Sequence, residues 1–192
     1  MTTPIKLGRR GFAGAVLPLL AGACSSPEPN YFTIAPRDGP VLPGGPRIVM
    51  VKDIGLASYL DRKEVVRSSE DYKLDIRAND WWGEPLGGLI GRVLVVELSQ
   101  RLPNCKVYSE AGSITADYNA TVGVNIQRLD ADRAGSLILA AQVAVEFNRP
   151  RRLAARNFTI SRPLGTPGTP ALVAAISDAL GELADGVATL LQ

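Results

Sequence analysis

The sequence predicts an α+β fold, with a mainly antiparallel sheet and two amphipathic helices packed on one face. Two long segments that repeat apolar residues at helical spacing predict the helices. Three successive segments that alternate apolar and polar residues predict a β-meander with one buried face. Several strands precede each helix, and the order strands, helix, strands, helix is typical of an α+β fold.

Four short strands are predicted before the first helix. They are rich in β-branched or aromatic residues and end at proline, glycine or polar positions. They span residues 31–34, 47–54, 64–68 and 72–78. Residues 36–46 hold four prolines and three glycines and are predicted to form a loop, and residues 69–71 form the turn between the third and fourth strands.

The first helix is predicted to begin at Glu84-Pro85, since proline is favoured in the first turn, and to end before Pro103. Its apolar residues form one stripe that faces a core: Leu86, Leu89, Ile90, Val93, Leu94, Leu98 and Leu102. Residues 106–109 follow as a short strand. The meander then comprises residues 118–127, 137–147 and 153–161, with turns at 130–135 and 148–150.

The second helix is predicted to have Thr169 as its N-cap and Pro170 as its first helical residue. One side of this helix is apolar: Leu172, Val173, Ile176, Leu180, Leu183, Val187 and Leu190. The opposite side carries polar residues: Asp178, Glu182, Asp185 and Thr189. We expect the apolar stripe to cover the sheet, and a helix that binds a partner is the alternative.

The N-terminal segment has the layout of an export signal. Lys6, Arg9 and Arg10 precede an apolar stretch, residues 12–23, and no acidic residue occurs before Glu28. A helix of that length rises about 18 Å against roughly 30 Å of hydrocarbon, so it cannot span a membrane. The adjacent arginines leave both the general secretory route and the twin-arginine route open.

Cys24 follows a run of small residues and resembles the acceptor cysteine of bacterial lipoprotein signals. The resemblance implies that its thiol is diacylated and that it becomes the first residue. Two or more acyl chains give a stable anchor. The chain then divides into a lipoprotein signal peptide, a lipidated tether and one domain, at residues 1–23, 24–30 and 31–192. A cleaved leader with an incidental cysteine is the alternative.

Composition argues against several classes of function. The leader carries three positive charges and no negative ones, so the formal net charge falls from +2 to −1 on cleavage, and nothing favours nucleic acid binding. The absence of histidine excludes Ser-His-Asp and Cys-His catalysis and histidine-ligated metal sites. Two cysteines are too few for a cysteine-cage zinc site, and no cofactor is predicted. The enzymatic alternative is an envelope hydrolase with a Ser-Lys or carboxylate pair.

An ordered series of motifs resembles the PqiC-type ABC-type transport auxiliary lipoprotein components. The early segment Tyr31-Phe32-Thr33-Ile34 is similar to the family's first strand. The motifs that follow are Tyr59-Leu60-Asp61-Arg62, Glu64-Val65-Val66-Arg67 and Trp82-Gly83-Glu84-Pro85-Leu86. The resemblance covers residues 24–192, which is the whole chain after the predicted leader.

The resemblance implies a lipoprotein without catalytic activity, anchored in the outer membrane and facing the periplasm. It implies an MCE-family periplasmic protein and its ABC-type transport system as partners, and phospholipid traffic and envelope integrity as the process. Binding of phospholipid and assembly into a homo-oligomer are left open. The alternative is a stand-alone envelope lipoprotein that binds lipid or an assembly partner without a transporter.

Six residues are candidates for partner contact: Tyr59, Leu60, Asp61, Arg62, Trp81 and Trp82. The two tryptophans are adjacent, and on an extended segment they point to opposite faces, so at most one lies deep in the core. The other is a candidate contact residue because tryptophan is enriched in binding hot spots. For Asp61 and Arg62 the alternative is a structural role within their turn.

Overall fold

This computed structural model describes residues 28–192. The predicted signal peptide and the predicted lipidation site, Cys24, lie outside the described residues. The described part confirms the α+β prediction. Its elements, in chain order, are β1 (Asn30–Phe32), β2 (Ile48–Val51), β3 (Gly55–Leu56), β4 (Glu64–Ser68), β5 (Asp75–Trp82), α1 (Leu86–Arg101), β6 (Lys106–Ser109), β7 (Ala120–Ala131), β8 (Ser136–Asn148), β9 (Arg151–Pro163) and α2 (Thr169–Leu190).

A six-stranded sheet lies at the centre of the domain. Its strands follow the order β6-β2-β7-β8-β9, and the short β3 also pairs with β7. The long strands β7, β8 and β9 form the antiparallel meander that their alternating pattern predicts. The sheet is nevertheless mixed, because β2 pairs in parallel with both β6 and β7. The parallel pair β2 and β6 requires a long crossover, and the chain makes it through β4, β5 and α1.

A second, three-stranded sheet has the order β1-β5-β4, whereas the sequence predicts a single sheet. The predicted strand at residues 72–78 is wrong in position, since β5 begins at Asp75 and continues to Trp82. The reason is local: Asp71 and Tyr72 both have φ of 60°, which places them in the turn after β4. The hairpin tip, defined as residues 69–74, is therefore longer than the predicted turn at 69–71.

Both helices lie against the six-stranded sheet and against each other. Helix α2 packs on β7, β8 and β9, while α1 packs on β2 and β6. The predicted helical stripes are buried, except that Leu190 is only partly buried. The inward residues of β7 and β8 meet them: Ala120, Val122, Val124, Ile126, Leu137, Leu139, Ala141, Val143 and Val145. Full burial of one such aliphatic side chain contributes about 1.5–3 kcal/mol.

The predicted loop at residues 36–46 lies across both helices. Its backbone is satisfied by helix groups: the amide of Arg37 donates to Glu97 Oε1 at 2.8 Å, and the amide of Leu42 donates to the carbonyl of Arg101 at 2.7 Å. The guanidinium of Arg101 is buried and returns a bond of 2.9 Å to the Arg37 carbonyl. These contacts explain how a proline-rich segment stays ordered without secondary structure.

The predicted N-cap of the second helix is wrong. Gly168 occupies the cap position with φ of 118°, a conformation that favours glycine, and Thr169 is already helical. The Thr169 side chain is buried, and its hydroxyl donates to the carboxylate of Asp80 in β5. Pro170 is the second helical residue, one position later in the helix than predicted, and still lies in the first turn. This threonine therefore joins the small sheet to α2.

Candidate partner-binding surface

The two tryptophans lie at the end of β5 and point to opposite faces, as the sequence predicts. Trp82 is only 6% exposed and belongs to the core, while Trp81 is half-buried. The strand register places Phe32 beside Trp82 and Tyr31 beside Trp81. Of the two, only Trp81 has surface that a partner can touch.

Trp81 forms a small aromatic and basic cluster with its neighbours. Its ring meets that of Tyr31 edge to face, with centroids 6.0 Å apart, and Lys63 Nζ lies 3.8 Å from the indole centroid. The indole N–H donates to the carbonyl of Ala78 at 2.8 Å, which fixes the ring orientation. Tyr31 is 64% exposed and extends the cluster into solvent. An edge-to-face pair stabilises by about 0.5–1.5 kcal/mol and an exposed cation–π contact by about 0.5–1 kcal/mol.

The turn at residues 59–62 contains both buried residues, which stabilise the fold, and accessible residues. Leu60 is 2% exposed and packs in the core. Arg62 Nε donates to the Tyr59 carbonyl at 2.9 Å, so this arginine satisfies the turn backbone while its side chain stays half-buried. Asp61 is exposed. Of these four residues, Asp61 and Arg62 are accessible enough to meet a partner.

Tyr59 is fixed by a hydrogen bond to a buried aspartate, Asp130, which the sequence analysis does not identify as a site residue. Its hydroxyl donates to Asp130 Oδ2 at 2.7 Å, and burial, reinforced by this bond, raises the pKa of the tyrosine. Asp130 is fully buried, and Arg128 bridges it to Glu70 with contacts of 2.9 Å and 2.6 Å. Desolvation acts to lower the pKa of Arg128, but its hydrogen bonds to Glu70 and Asp130 outweigh this effect and raise the pKa.

The predicted turn at 130–135 is too long because β7 continues through Asp130 to Ala131. A register shift between Ile126 and Arg128 reverses the alternation, so that Leu129 and Ala131 point inward after the shift. The sequence does carry a sign of this register shift, because the apolar residues Leu129 and Ala131 are out of phase with the alternation before them.

The surface that unites these accessible residues is named here the Trp81 surface and comprises Tyr31, Asp61, Arg62, Lys63 and Trp81. Lys63 connects its two parts, since it follows the turn directly and lies on the indole ring. The surface combines an aromatic anchor with both charge signs. That composition suits a protein contact, because aromatic and arginine side chains dominate binding hot spots.

The described residues form no cluster of metal-binding side chains. Residues 28–192 hold no group of three or more His, Cys, Asp or Glu side chains placed to bind an ion. Cys105 is buried, and its burial raises the pKa of the thiol. Over the same residues, neither helix is long and apolar enough to cross a membrane.

A cavity of about 1030 Å³ opens at the other end of β5 from Trp81. The hairpin tip forms one wall, and the loop between β9 and α2 forms another. Its lining mixes charged side chains with aliphatic ones, including Arg67, Arg133, Leu74 and Leu164. The cavity lies at the surface, at the ends of the strands, and is not an apolar space between sheet and helices.

The fold defines a class first: an α+β domain in which two helices cover one face of a mixed sheet and a proline-rich strap, residues 36–46, lies across the helices. The model of one protein family, described as ABC-type transport auxiliary lipoprotein component, matches residues 33–188. The chain therefore belongs to the ABC-type transport auxiliary lipoprotein family, which confirms the resemblance seen in the motifs.

Solved structures show the same fold. A crystal structure of an uncharacterized protein matches with a TM-score of 0.72 and 19% identity, over 86% of this chain and 100% of that one. A crystal structure of a DUF330 protein from Xanthomonas campestris matches with a TM-score of 0.67 and 17% identity, over 83% of this chain and 91% of that one. The search of curated proteins finds no significant match.

Proposed function

We propose that this protein is a non-catalytic outer-membrane lipoprotein that serves an MCE and ABC-type intermembrane lipid transport system. It docks the periplasm-spanning MCE protein at the outer membrane and thereby supports envelope integrity. The observation that carries the proposal is family membership over residues 33–188 together with Cys24 directly before the domain. Acylation of Cys24 would fix the domain to the membrane through lipid alone.

The proposed docking contact is the Trp81 surface. Trp81 supplies the anchor, while Asp61 and Arg62 supply charges at its side. Leu60 and Trp82 support this contact from the core, since both are buried. Tyr59 supports it through its bond to Asp130. Of the six candidate residues, three therefore contact the partner, and the other three hold the contact residues in place.

The test is a crosslinked pull-down from bacterial envelopes, with mass spectrometry of the captured partners and of the N-terminal peptide. We expect an MCE-family protein among the partners and an N-terminal peptide that begins at Cys24 and carries acyl mass. Trp81→Ala should lower recovery of that partner by roughly thirtyfold or more, the equivalent of a hot-spot loss of about 2 kcal/mol.

Leu153→Ala provides the control, because Leu153 is an accessible apolar residue, 64% exposed, on a different strand. It should leave partner recovery unchanged. Three results would contradict the proposal: an N-terminus at Met1, a Cys24 peptide without acyl mass, or a partner set that contains no component of a transport system. In the last case, the stand-alone lipoprotein becomes the better account.

A further inference from the structure

The hairpin tip displays apolar side chains to solvent on a constrained turn. Tyr72 is fully exposed, Leu74 is 36% exposed, and Lys73 between them is exposed as well. Asp71 and Tyr72 both hold φ of 60°, a region in which residues other than glycine are uncommon. Such backbone conformations persist where the surroundings enforce them, and they concentrate at functional positions.

Ion pairs brace the tip and neutralise most of its charge. Glu70 contacts Arg128 at 2.6 Å and Arg133 at 3.6 Å, and Arg133 also pairs with Asp71. Lys73 is not part of any salt bridge formed by residues 28–192. The tip therefore presents a tyrosine and a leucine beside one unpaired cation. This combination suits the headgroup region of a bilayer, where aromatic rings lie at the interface and lysine reaches the phosphates.

The strand order shows from which side the chain enters the domain. β1 pairs in parallel with β5, with Asn30 opposite Asp80 and Phe32 opposite Trp82. The amino ends of both strands therefore face the same end of the small sheet. The hairpin tip lies at the amino end of β5, so the start of β1 faces the tip, and the carboxyl end with Trp81 lies away from it.

The length of the tether agrees with this direction. Cys24 precedes Asn30 by six residues, which can span at most about 20 Å when extended. Leu74 precedes Asp80 by the same six residues, and along a strand these also cover about 20 Å. A tether of this length reaches the level of the tip but little further. The tether is therefore long enough for an anchored Cys24 to lie level with the tip.

We propose that Tyr72, Lys73 and Leu74 contact the headgroup region of the membrane that holds the acylated Cys24. The inference rests on the proposed lipidation and adds to it an orientation of the domain on the lipid surface. In this orientation the Trp81 surface lies seven residues further along β5, about 23 Å from Leu74, and faces away from the lipid. The same strand thus separates the membrane contact from the partner contact.

The experiment measures fluorescence quenching of a tryptophan placed at the tip. Acylated full-length protein carrying Tyr72→Trp is reconstituted into phosphatidylethanolamine and phosphatidylglycerol vesicles that contain a brominated phosphatidylcholine. The emission of the introduced indole is obtained by difference from the wild-type protein, whose two tryptophans are Trp81 and Trp82. We expect a blue-shifted emission that the brominated lipid quenches and that aqueous acrylamide quenches poorly.

Leu153→Trp is the control, because Leu153 is exposed near the start of β9, whereas the end of β9 borders the cavity at the tip. Its added emission should respond to acrylamide and not to the brominated lipid. Leu74→Trp is a second probe that keeps Tyr72 in place. Lipid quenching of both tip probes supports the contact. An absence of lipid quenching in both, or equal quenching of the control, overturns it.

Mass spectrometry of the N-terminal peptide on the same sample tests the proposed lipidation separately from the proposed orientation. If Cys24 carries acyl mass and the tip probes are not quenched, the orientation is wrong and the proposed anchoring stands. If Cys24 carries no acyl mass, the anchoring fails, and the orientation that rests on it fails with it.

Discussion

At the scale of single residues, Glu97 is a buried carboxyl with one oxygen that lacks a partner among the described residues. It lies in α1 against the strap and α2, and it is 1% exposed. One carboxylate oxygen accepts from the Arg37 amide, while Oε2 has no hydrogen-bond partner among residues 28–192. Burial raises the pKa of this carboxyl to about 7, although the Arg37 amide and the charge of Arg101 act in the opposite direction and Asp185 adds to the rise.

The raised pKa predicts that stability falls as pH rises. Below the ordinary carboxyl pKa both the folded and unfolded states are protonated, and above it the folded state retains a proton that the unfolded state has lost. The free energy of unfolding should therefore decline by about 2–3 kcal/mol between about pH 5 and about pH 8, mostly below the folded-state pKa of about 7.

Glu97→Gln should remove most of this decline and stabilise the protein at the higher pH, as measured by urea unfolding at both pH values. The exposed Glu146→Gln is the matched control and should follow the wild type. Parallel curves for the Glu97→Gln variant and the wild type would show that the buried carboxyl has no raised pKa.

At the scale of elements, the small sheet is joined to α2 by a polar contact from its central strand, β5. Asp80 in β5 accepts from the Thr169 hydroxyl and, at 3.0 Å, from Asn30 Nδ2 in β1. These two bonds, with Thr169 the stronger cause, lower the pKa of Asp80. One carboxylate thereby connects three elements: β1, β5 and the first turn of α2.

Thr169→Val keeps the shape of the side chain and removes its hydroxyl. We expect the free energy of unfolding to fall by about 1–2 kcal/mol at neutral pH, because the carboxylate loses a donor. A lowered pKa stabilises the folded state above the unfolded-state value, so the deficit should shrink as pH falls and Asp80 becomes protonated.

Thr189→Val is the control for the same substitution on the same helix. Thr189 is exposed and donates only to the Asp185 carbonyl one turn earlier, so its loss should cost under about 0.5 kcal/mol. Equal effects of the two substitutions would show that the Asp80 contact does not stabilise the fold.

The elements also show how far sequence patterns predict this structure. Long periodic segments such as α2 and the β7–β9 meander are predictable, because each buries one continuous face and a slip would expose it. The division into two sheets was not predictable, since β1 and β2 are short and their partners lie far away in sequence. Thr169 was misassigned because its partner, Asp80, is 89 residues away.

The candidate site was predictable in part for the same reason. Alternation along an extended segment is a local property, and it correctly separates Trp81 from Trp82. The roles of Tyr59 and Leu60 depend on β7 and the core, which the sequence around them does not reveal. The contact of Tyr31 with Trp81 depends on a parallel pairing between β1 and β5. No pattern in three residues specifies such a pairing.

At the scale of the whole molecule, the hairpin tip and the Trp81 surface lie at opposite ends of β5. The hairpin tip lies at the amino end of β5, and the Trp81 surface lies at its carboxyl end, where β1 pairs with residues 80–82. The two helices cover one face of the large sheet. This arrangement agrees with a membrane contact at the tip and a docking contact at the other end of β5, as proposed for an auxiliary component of a transport system.

The most direct measurement of this account is site-directed photo-crosslinking from position 62 in intact cells, with mass spectrometry of the adduct. Arg62 lies on the Trp81 surface, and among the described residues its side chain bonds only to its own turn, so a photoreactive residue there should leave the fold intact. The account predicts an adduct with an MCE-family protein that does not form from position 153. Adducts confined to proteins outside any transport system, or the same adduct from both positions, would contradict it.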